Sequence, residues 1–499
     1  MTAQHMTHAV ALSRLVSVAD TRAAAITVFG LSLDSRSVAV GDVFIALAGS
    51  QFDGRRFIDA AIAEGAVAVL LEAVGDDTTV QWRGQVPLIA IEQLQQQVSA
   101  IAGAFYGHPS SAMDVVAVTG TNGKTSCARL VQQLHHALGA SCGVMGTLGN
   151  SLTSAVVPAI NTTADPISVQ QQLAEWQLQQ VNHVAMEVSS HALSQSRVAG
   201  LAISTAIFTN LSRDHLDYHG DMQSYGSAKR RLFTDFVLRN AIINIDDAFG
   251  ALLLADLCKT SAQTQALSYS LNNTDADLYL SDVRFHLSGV TAMLHSPWGV
   301  ETLQSPLLGE FNLANVLAAI AAVVITGTSL SDVIAACASL QPVAGRMQRI
   351  DTDADVEVVV DYAHTPDALE KALLAMRRHA SGQLWCVFGC GGDRDVGKRP
   401  LMGRIASVLA DHVIVTSDNP RSELPESIIA DIITGCASAP DVEVDRAVAI
   451  EQAIASAQAG DSVLIAGKGH EQYQQVGAQR FAFDDALHAR NALLRRVAP

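Results

Sequence analysis

Short apolar runs separated by polar, Gly-bounded turns recur along this chain, and between them apolar residues fall at helical spacing. Near the start, 42–47 (DVFIAL) and 66–71 (AVAVLL) read as strands, with a helix over 57–64 between them. Further strand-type runs lie at 115–118, 184–188, 206–209, 241–245 and 278–283, several with helical patterns in between. The stretch 285–303 is richer in β-type residues and is expected to add antiparallel strands, and 309–325 reads as a helix entered from a turn. The last third alternates again, with strands expected at 356–360, 384–389, 412–417 and 462–466. Such alternation predicts an α/β fold built on mostly parallel, doubly wound sheets.

The chain has 499 residues, too many for a single core. Polar, Gly- and Pro-containing stretches at 107–110 and 341–345 are the natural linkers. Three domains are therefore expected: 1–108, 109–341 and a Rossmann-like 342–499.

One stretch carries explicit chemistry. Residues 115–126 read VVAVTGTNGKTS: an apolar strand, a Gly-rich turn, then a helical pattern over 127–138. Glycines let backbone N–H groups approach an anion, and the helix start adds a positive dipole end. Lys124 can reach the β/γ-phosphates of a nucleotide and the Thr125 hydroxyl can meet Mg2+. The loop is a compact variant of the strict phosphate-binding pattern, which needs Gly where Val118 stands. A central P-loop-type ATPase domain is the expectation; a nucleotide-dependent binding module would share the loop.

Charge alters the list of partners. Lys and Arg number 32 against 49 Asp and Glu, a net −17 without a basic stripe, so a nucleic-acid partner is not expected. An acidic protein with anionic substrates must gather its cations locally. The seven cysteines are odd in number and form no CxxC pair, which suits buried free thiols in a reducing compartment. No signal segment is read, and the apolar run near 316–325 is too short to span a bilayer. A cytoplasmic protein without membrane insertion is expected.

Polar residues follow the strand-type runs, where open α/β sheets bind ligands. Glu187 to His191 reads EVSSH, and 210–220 reads NLSRDHLDYHG. Glu187 suits Mg2+, whereas His215 in isolation reads by default as a structural histidine and Lys229 by itself as a solvated charge. The polar loops at 33–36 and 49–54 are ligand loops or ordinary surface turns.

TGTNGKTS at 119–126, EVSSH at 187–191, NLSRDHLDYHG at 210–220, GEFNLAN at 309–315, GRM at 345–347 and DYAHTPD at 361–367 resemble the Mur ligases. GCGGDRD at 389–395, DNPR at 418–421 and GKGHE at 467–471 resemble in particular the members that add 2,6-diaminopimelate during peptidoglycan precursor synthesis. The resemblance spans nearly the whole chain and implies an N-terminal domain for a uridine nucleotide, a central ATPase domain and a C-terminal domain for the incoming amino acid. It implies Gly120, Thr121, Asn122, Gly123, Lys124, Thr125, Ser126, Asn312, Arg346 and Asp361 at ATP. Leu33, Ser35, Ser50, Gln51 and Phe52 would hold the UDP part, and Asn161, Thr162, Thr163, Ser189, Gln195 and Arg197 the muramoyl-dipeptide side. Arg394, Asp418, Asn419, Pro420, Arg421, Gly467 and Glu471 would hold diaminopimelate. Thr125, Glu187, His215 and Lys229 would bear on Mg2+, Lys229 as a carbamate, N6-carboxylysine; Lys124, Lys229 and His215 are the catalytic candidates. Ala164 stands where relatives often carry Pro.

The reaction implied is ATP-dependent amide formation between the D-Glu side-chain carboxylate of UDP-N-acetylmuramoyl-L-Ala-D-Glu and meso-diaminopimelate, through an acyl phosphate. The alternatives are L-lysine addition or another Mur or folylpolyglutamate-type ligation. A monomer is the expected state.

Overall fold

The computed structural model describes residues 9–49, 53–73, 80–153, 156–157, 161–261, 263–286, 289–350, 352 and 354–497. Ser50, Gln51 and Phe52 lie outside the described residues.

The apolar runs of the middle of the chain assemble into an eleven-stranded sheet. Its parallel heart runs in the order Cys142–Met145, His183–Glu187, Asp114–Thr119, Thr205–Phe208, Asn240–Asn244 and Gln265–Ser270. Both faces are covered, which is why these strands read as unbroken apolar runs. Val116 and Val118 point into one core together with Ala185, Ile207 and Ile242. Val115 and Ala117 point into the other with Val184, Met186 and Phe208. The helix Glu310–Val324 is buried around most of its circumference, so its sequence is apolar on nearly every side.

The antiparallel addition expected after residue 285 is present. Leu278–His286 pairs with Gly289–Ser296, which pairs with Gly299–Ser305. A five-stranded sheet occupies the N-terminal part, ordered Gly30–Ser32, Asp42–Ala46, Ala68–Glu72, Val86–Ile91, Val80–Arg83, parallel except for the last pair. The C-terminal part holds a six-stranded sheet, ordered Gln348–Arg349, Glu357–Asp361, Ser462–Ala466, Leu384–Phe388, His412–Val415, Asp441–Val442, parallel except at Gln348–Arg349.

Two expectations need correction. Lys229, where the residues around 225–231 read as a short helix, lies instead on a longer one, Met222–Thr234, which the Asp221 side chain caps by accepting from Ser224 N–H at 2.7 Å. The thiols are not all buried, for Cys258 is exposed and Cys436 half-buried. All seven are free, as expected. No helix among the described residues is long and apolar enough to cross a membrane.

Candidate active site

The strand Asp114–Thr119 delivers the chain into Gly120–Gly123, and the helix Lys124–Ala137 starts directly after it. Gly123 caps that helix at φ 86°, a left-handed conformation suited to glycine. At Gly120 a Cβ would lie 1.8 Å from Thr209 Oγ1, so only glycine lets the neighbouring strand end approach this closely. Thr209 Oγ1 donates to Asn122 O at 2.6 Å, and Asn122 N–H donates to Asn210 Oδ1 at 3.0 Å. The loop is thus held by the next strand end rather than by its own sequence.

Lys124 and Lys229 converge on one backbone oxygen. Lys124 Nζ donates to Gly120 O at 2.9 Å and to Thr121 O at 2.8 Å. Lys229 Nζ donates to Gly120 O at 2.7 Å and sits 4.3 Å over the Tyr225 ring. Lys229 is 1 % exposed, so the reading as a solvated charge is wrong. Burial, then repulsion by Lys124, holds its amine well below the usual lysine range against the pull of Asp214. Burial also lowers Lys124, opposed by Glu187 and Asp214.

The loop has a cavity on each side. One, of about 240 Å3, is lined by Lys124, Asn161, Thr162, Thr163, Ser189 and Arg197 together with His191, His215, Tyr225 and Lys229. Arg197 forks onto Gln195 Oε1 at 3.0 and 2.7 Å and donates to Thr163 O at 2.7 Å. His215 lies 3.4 Å from Asp214, with its ring 5.0 Å from that of His191. Burial lowers the pKa of both histidines, His191 to about 4. Glu187 is buried beside this cavity rather than lining it: Oε1 accepts from Thr147 N–H at 2.8 Å and Oε2 from Thr147 Oγ1 at 3.1 Å.

The other cavity, of about 370 Å3, opens between the central and C-terminal sheets. Asn122, Gly123 and Ser126 line one wall and Arg346 and Asp361 the opposite one. Arg346 stacks 4.5 Å over Tyr362, and its buried Nε has no partner among the described residues. Asp361 accepts from Met347 N–H at 2.7 Å, and burial raises its pKa to about 6 despite Arg346. Asn312 turns away, donating to Leu308 O at 2.9 Å; Asn315, one turn on, lines the cavity instead. Thr125 is buried behind the loop.

A third group forms at the C-terminal ends of the C-terminal sheet. Asn419 Nδ2 donates to Glu471 Oε2 at 2.7 Å, and Gly467 is forced by Asp418, whose Oδ2 would lie 2.6 Å from a Cβ there. Arg421 is left-handed at φ 51° and donates through Nη1 to Gly392 O at 2.7 Å. Its backbone is clamped by the hairpin Tyr473–Val476/Gln479–Ala482, through Arg421 N–H to Gln475 O at 3.1 Å and Gly477 N–H to Arg421 O at 2.7 Å. Arg394 is exposed beside Gly391 and bonds only its neighbour, donating to Asp393 O. Leu33 and Ser35 lie apart from all of this, on the N-terminal sheet's edge next to the short turn Ser35–Ser37.

His191, Asn210, Asn315 and Lys468 stand inside the motifs quoted above without a role assigned to them, and Tyr225, Lys371 and Arg378 stand in none of those motifs. Asn315 had a signal, since i and i+3 share a helix face and both asparagines stand in GEFNLAN. Lys371 and Arg378 line the larger cavity from the helix Pro366–His379, beyond the motif 361–367 that covers only its start.

A phosphate loop between two cavities, served by three α/β units, is the architecture of a nucleotide-dependent ligase, and known proteins agree. Residues 118–323 match the Mur ligase middle domain, 345–469 the Mur ligase glutamate ligase domain and 27–106 the catalytic domain of the Mur ligase family. The chain belongs to the Mur ligase family. Within it, the chain is 50% identical over 471 residues to UDP-N-acetylmuramoyl-L-alanyl-D-glutamate–2,6-diaminopimelate ligase of Pseudomonas aeruginosa, covering 94% of this chain and 96% of the relative. The enzyme of that name from Ectopseudomonas mendocina is 48% identical over 465 residues, 93% of this chain and 94% of the relative. A solved structure bearing that enzyme name matches with TM-score 0.74 and 39% identity over 98% of this chain and 100% of its own. MurF ligase from Thermotoga maritima in complex with ADP shares the fold, with TM-score 0.60 at 19% identity over 93% of this chain and 96% of its own.

Proposed function

We propose that this protein is an ATP-dependent ligase joining meso-diaminopimelate to the D-Glu side-chain carboxylate of UDP-N-acetylmuramoyl-L-Ala-D-Glu. The observation that carries it is the loop Gly120–Lys124 standing between two cavities, with Gly123 facing one and Lys124 the other. ATP enters the larger one, where the partnerless Arg346 Nε and the cradle at Gly123 suit an anion. The muramoyl dipeptide enters the smaller one, with Arg197 and Thr163 at its carboxylates. Leu33 and Ser35, with 50–52, take the uridine nucleotide. The domains divide at 108/109 and 341/342, and the protein works in the cytoplasm.

The D-Glu carboxylate attacks the γ-phosphorus and ADP leaves, giving an acyl phosphate. The amine of diaminopimelate then attacks the acyl carbon; phosphate leaves and the amine's proton passes to solvent or base. Lys124 offsets charge on the transferring group, and little covalent chemistry falls to the protein. Mg2+ supplies further charge neutralisation when bound. Among the described residues no three His, Cys, Asp or Glu cluster as a ready metal cage. Mg2+ takes one or two carboxylates and completes its shell with phosphates and water. His215, on the smaller cavity, would hold it there; Glu187, whose two oxygens are engaged by Thr147, and the buried Thr125 would do so only after turning toward that cavity. Lys229 would join them as a carbamate: its amine, neutral because it is buried, adds CO2 and releases a proton, so a neutral buried group becomes an anion with two oxygens.

A coupled phosphate-release assay tests this reading. Release should require ATP, the nucleotide dipeptide and diaminopimelate together. Release without the amine at full rate, or equal rates with L-lysine, would overturn it.

A further inference from the structure

Lys468 is 0 % exposed, and nothing in the proposed reaction uses it. It sits between Gly467 at φ 117° and Gly469 at φ 54°. A Cβ on the first would meet Asp418 at 2.6 Å and on the second Tyr362 at 2.7 Å. The backbone therefore fixes where this side chain goes. Its Nζ donates to Asn419 Oδ1 at 3.0 Å and to Glu471 Oε2 at 3.3 Å, and lies 5.6 Å from the Tyr473 ring centre.

These bonds orient two groups of the amino-acid site. Asn419 Oδ1 accepts from both Lys468 Nζ and Gln475 N–H, the latter at 2.8 Å, so its amide nitrogen must face Glu471. Glu471 Oε2 is then occupied twice, by Asn419 Nδ2 at 2.7 Å and by Lys468. Oε1 has no hydrogen bond among the described residues, and the Glu471 side chain is 17% exposed. The carboxylate thus presents one oxygen outward in a fixed direction. A buried cation that ties down one oxygen of a carboxylate also holds that carboxylate still, so its free oxygen keeps a fixed aim toward an incoming ammonium.

We infer that Lys468 is a positioning residue for the incoming diamino acid, holding Asn419 and Glu471 so that Glu471 Oε1 meets the substrate's ammonium group. This rests on the proposed function, and specifically on Glu471 lying in the amino-acid site.

The test is the set of KM and kcat values for all three substrates in the full-length enzyme and in Lys468→Met, Lys468→Gln and Lys468→Arg. The Met and Gln variants should raise KM for diaminopimelate about tenfold or more, as expected for removing one partner of a buried charge pair. KM for ATP and for the nucleotide dipeptide should stay within about twofold, and kcat within about threefold. Lys468→Arg, which keeps the charge, should recover most of the lost affinity. An unchanged KM for diaminopimelate, equal rises in all three KM values, or an Arg variant as impaired as the Met variant would each overturn the proposal. So would failure of both uncharged variants to fold, which would make the lysine a stability residue. A wild-type enzyme that ignores diaminopimelate would instead overturn the substrate reading, and this inference with it.

Discussion

Lys229 combines near-complete burial, a 2.7 Å bond to Gly120 O and a second lysine on the same oxygen. Burial first, and repulsion by Lys124 second, hold the Lys229 amine well below the usual lysine range, which would leave it neutral and able to add CO2. Lys229→Ala should fold normally yet lose about 100-fold or more in turnover, the scale expected when transition-state charge stabilisation is removed. Added acetate or formate should restore part of it; no rescue, with wild-type crystals showing a bare lysine, would defeat the carbamate. Arg421 poses a question of selectivity. Its guanidinium is held against Gly392 O by a clamped backbone, ready for a bidentate carboxylate. L-Lysine lacks that carboxylate, so discrimination on the order of 10^4-fold is expected. Arg421→Ala should collapse it mainly by weakening diaminopimelate, measured as the ratio of kcat/KM values for the two amino acids. Asp361 sets a pH dependence. Its folded pKa of about 6 lies above the unfolded 3.8, so the folded state binds more protons and stability falls as pH rises from about 4 to 6. Asp361→Asn does not titrate, so it should gain on the wild type by about 3 kcal/mol at most between pH 4 and pH 7. Denaturation at both pH values reads this directly, and a constant difference would contradict it.

At the level of elements, the phosphate loop depends on the neighbouring strand. The strand Thr205–Phe208 pairs parallel to Asp114–Thr119 and carries Thr209 and Asn210 to the loop. Gly120→Ala would push its Cβ into Thr209 Oγ1 and disturb the bond to Asn122 O. Turnover should fall about 100-fold, because a displacement near 1 Å at a reacting site has that effect. Wild-type turnover in this variant would mean that the loop does not bind phosphate in this shape. The hairpin over 473–482 does a comparable job for Arg421, although most of its own residues are half or fully exposed.

Over the whole molecule, the loop and the C-terminal unit are joined directly. Asn122 Nδ2 donates to Asp367 Oδ2 at 3.0 Å, and Arg213 lies 3.5 Å from Asp395. Arg378 pairs with Glu310 in the same region. The side chains of the Arg213–Asp395 pair are 57% and 42% exposed and should contribute little to stability. The Arg446–Asp485 pair within the C-terminal unit is the opposite case, 2.7 Å apart with neither side chain exposed. Arg446 also donates to Ala466 O at 3.0 Å, next to Gly467. Asp485→Asn should therefore cost roughly 3 kcal/mol or more, and Asp395→Asn less than about 1 kcal/mol, in urea denaturation. Equal effects would contradict this division.

Much of this was legible in the chain itself. Parallel strands buried on both faces must be apolar throughout, so 115–118, 206–209 and 462–466 announced themselves. TGTNGKTS signalled a phosphate cradle, because glycines and a helix start mark one locally, but the strand end at Thr209 and Asn210 holds it in shape. Half-exposed elements such as the hairpin over 473–482 carried no such signal, since their place comes from the loop they clamp. Burial was equally hidden: Lys229 reads as a surface charge until distant strands and helices enclose it. Asn312 and Asn315 are indistinguishable as letters, and only the rotation of their helix decides which one faces the cavity. Composition and spacing determine which elements form. Desolvation, clash and the facing of side chains belong to tertiary packing, because each depends on atoms contributed from far along the chain.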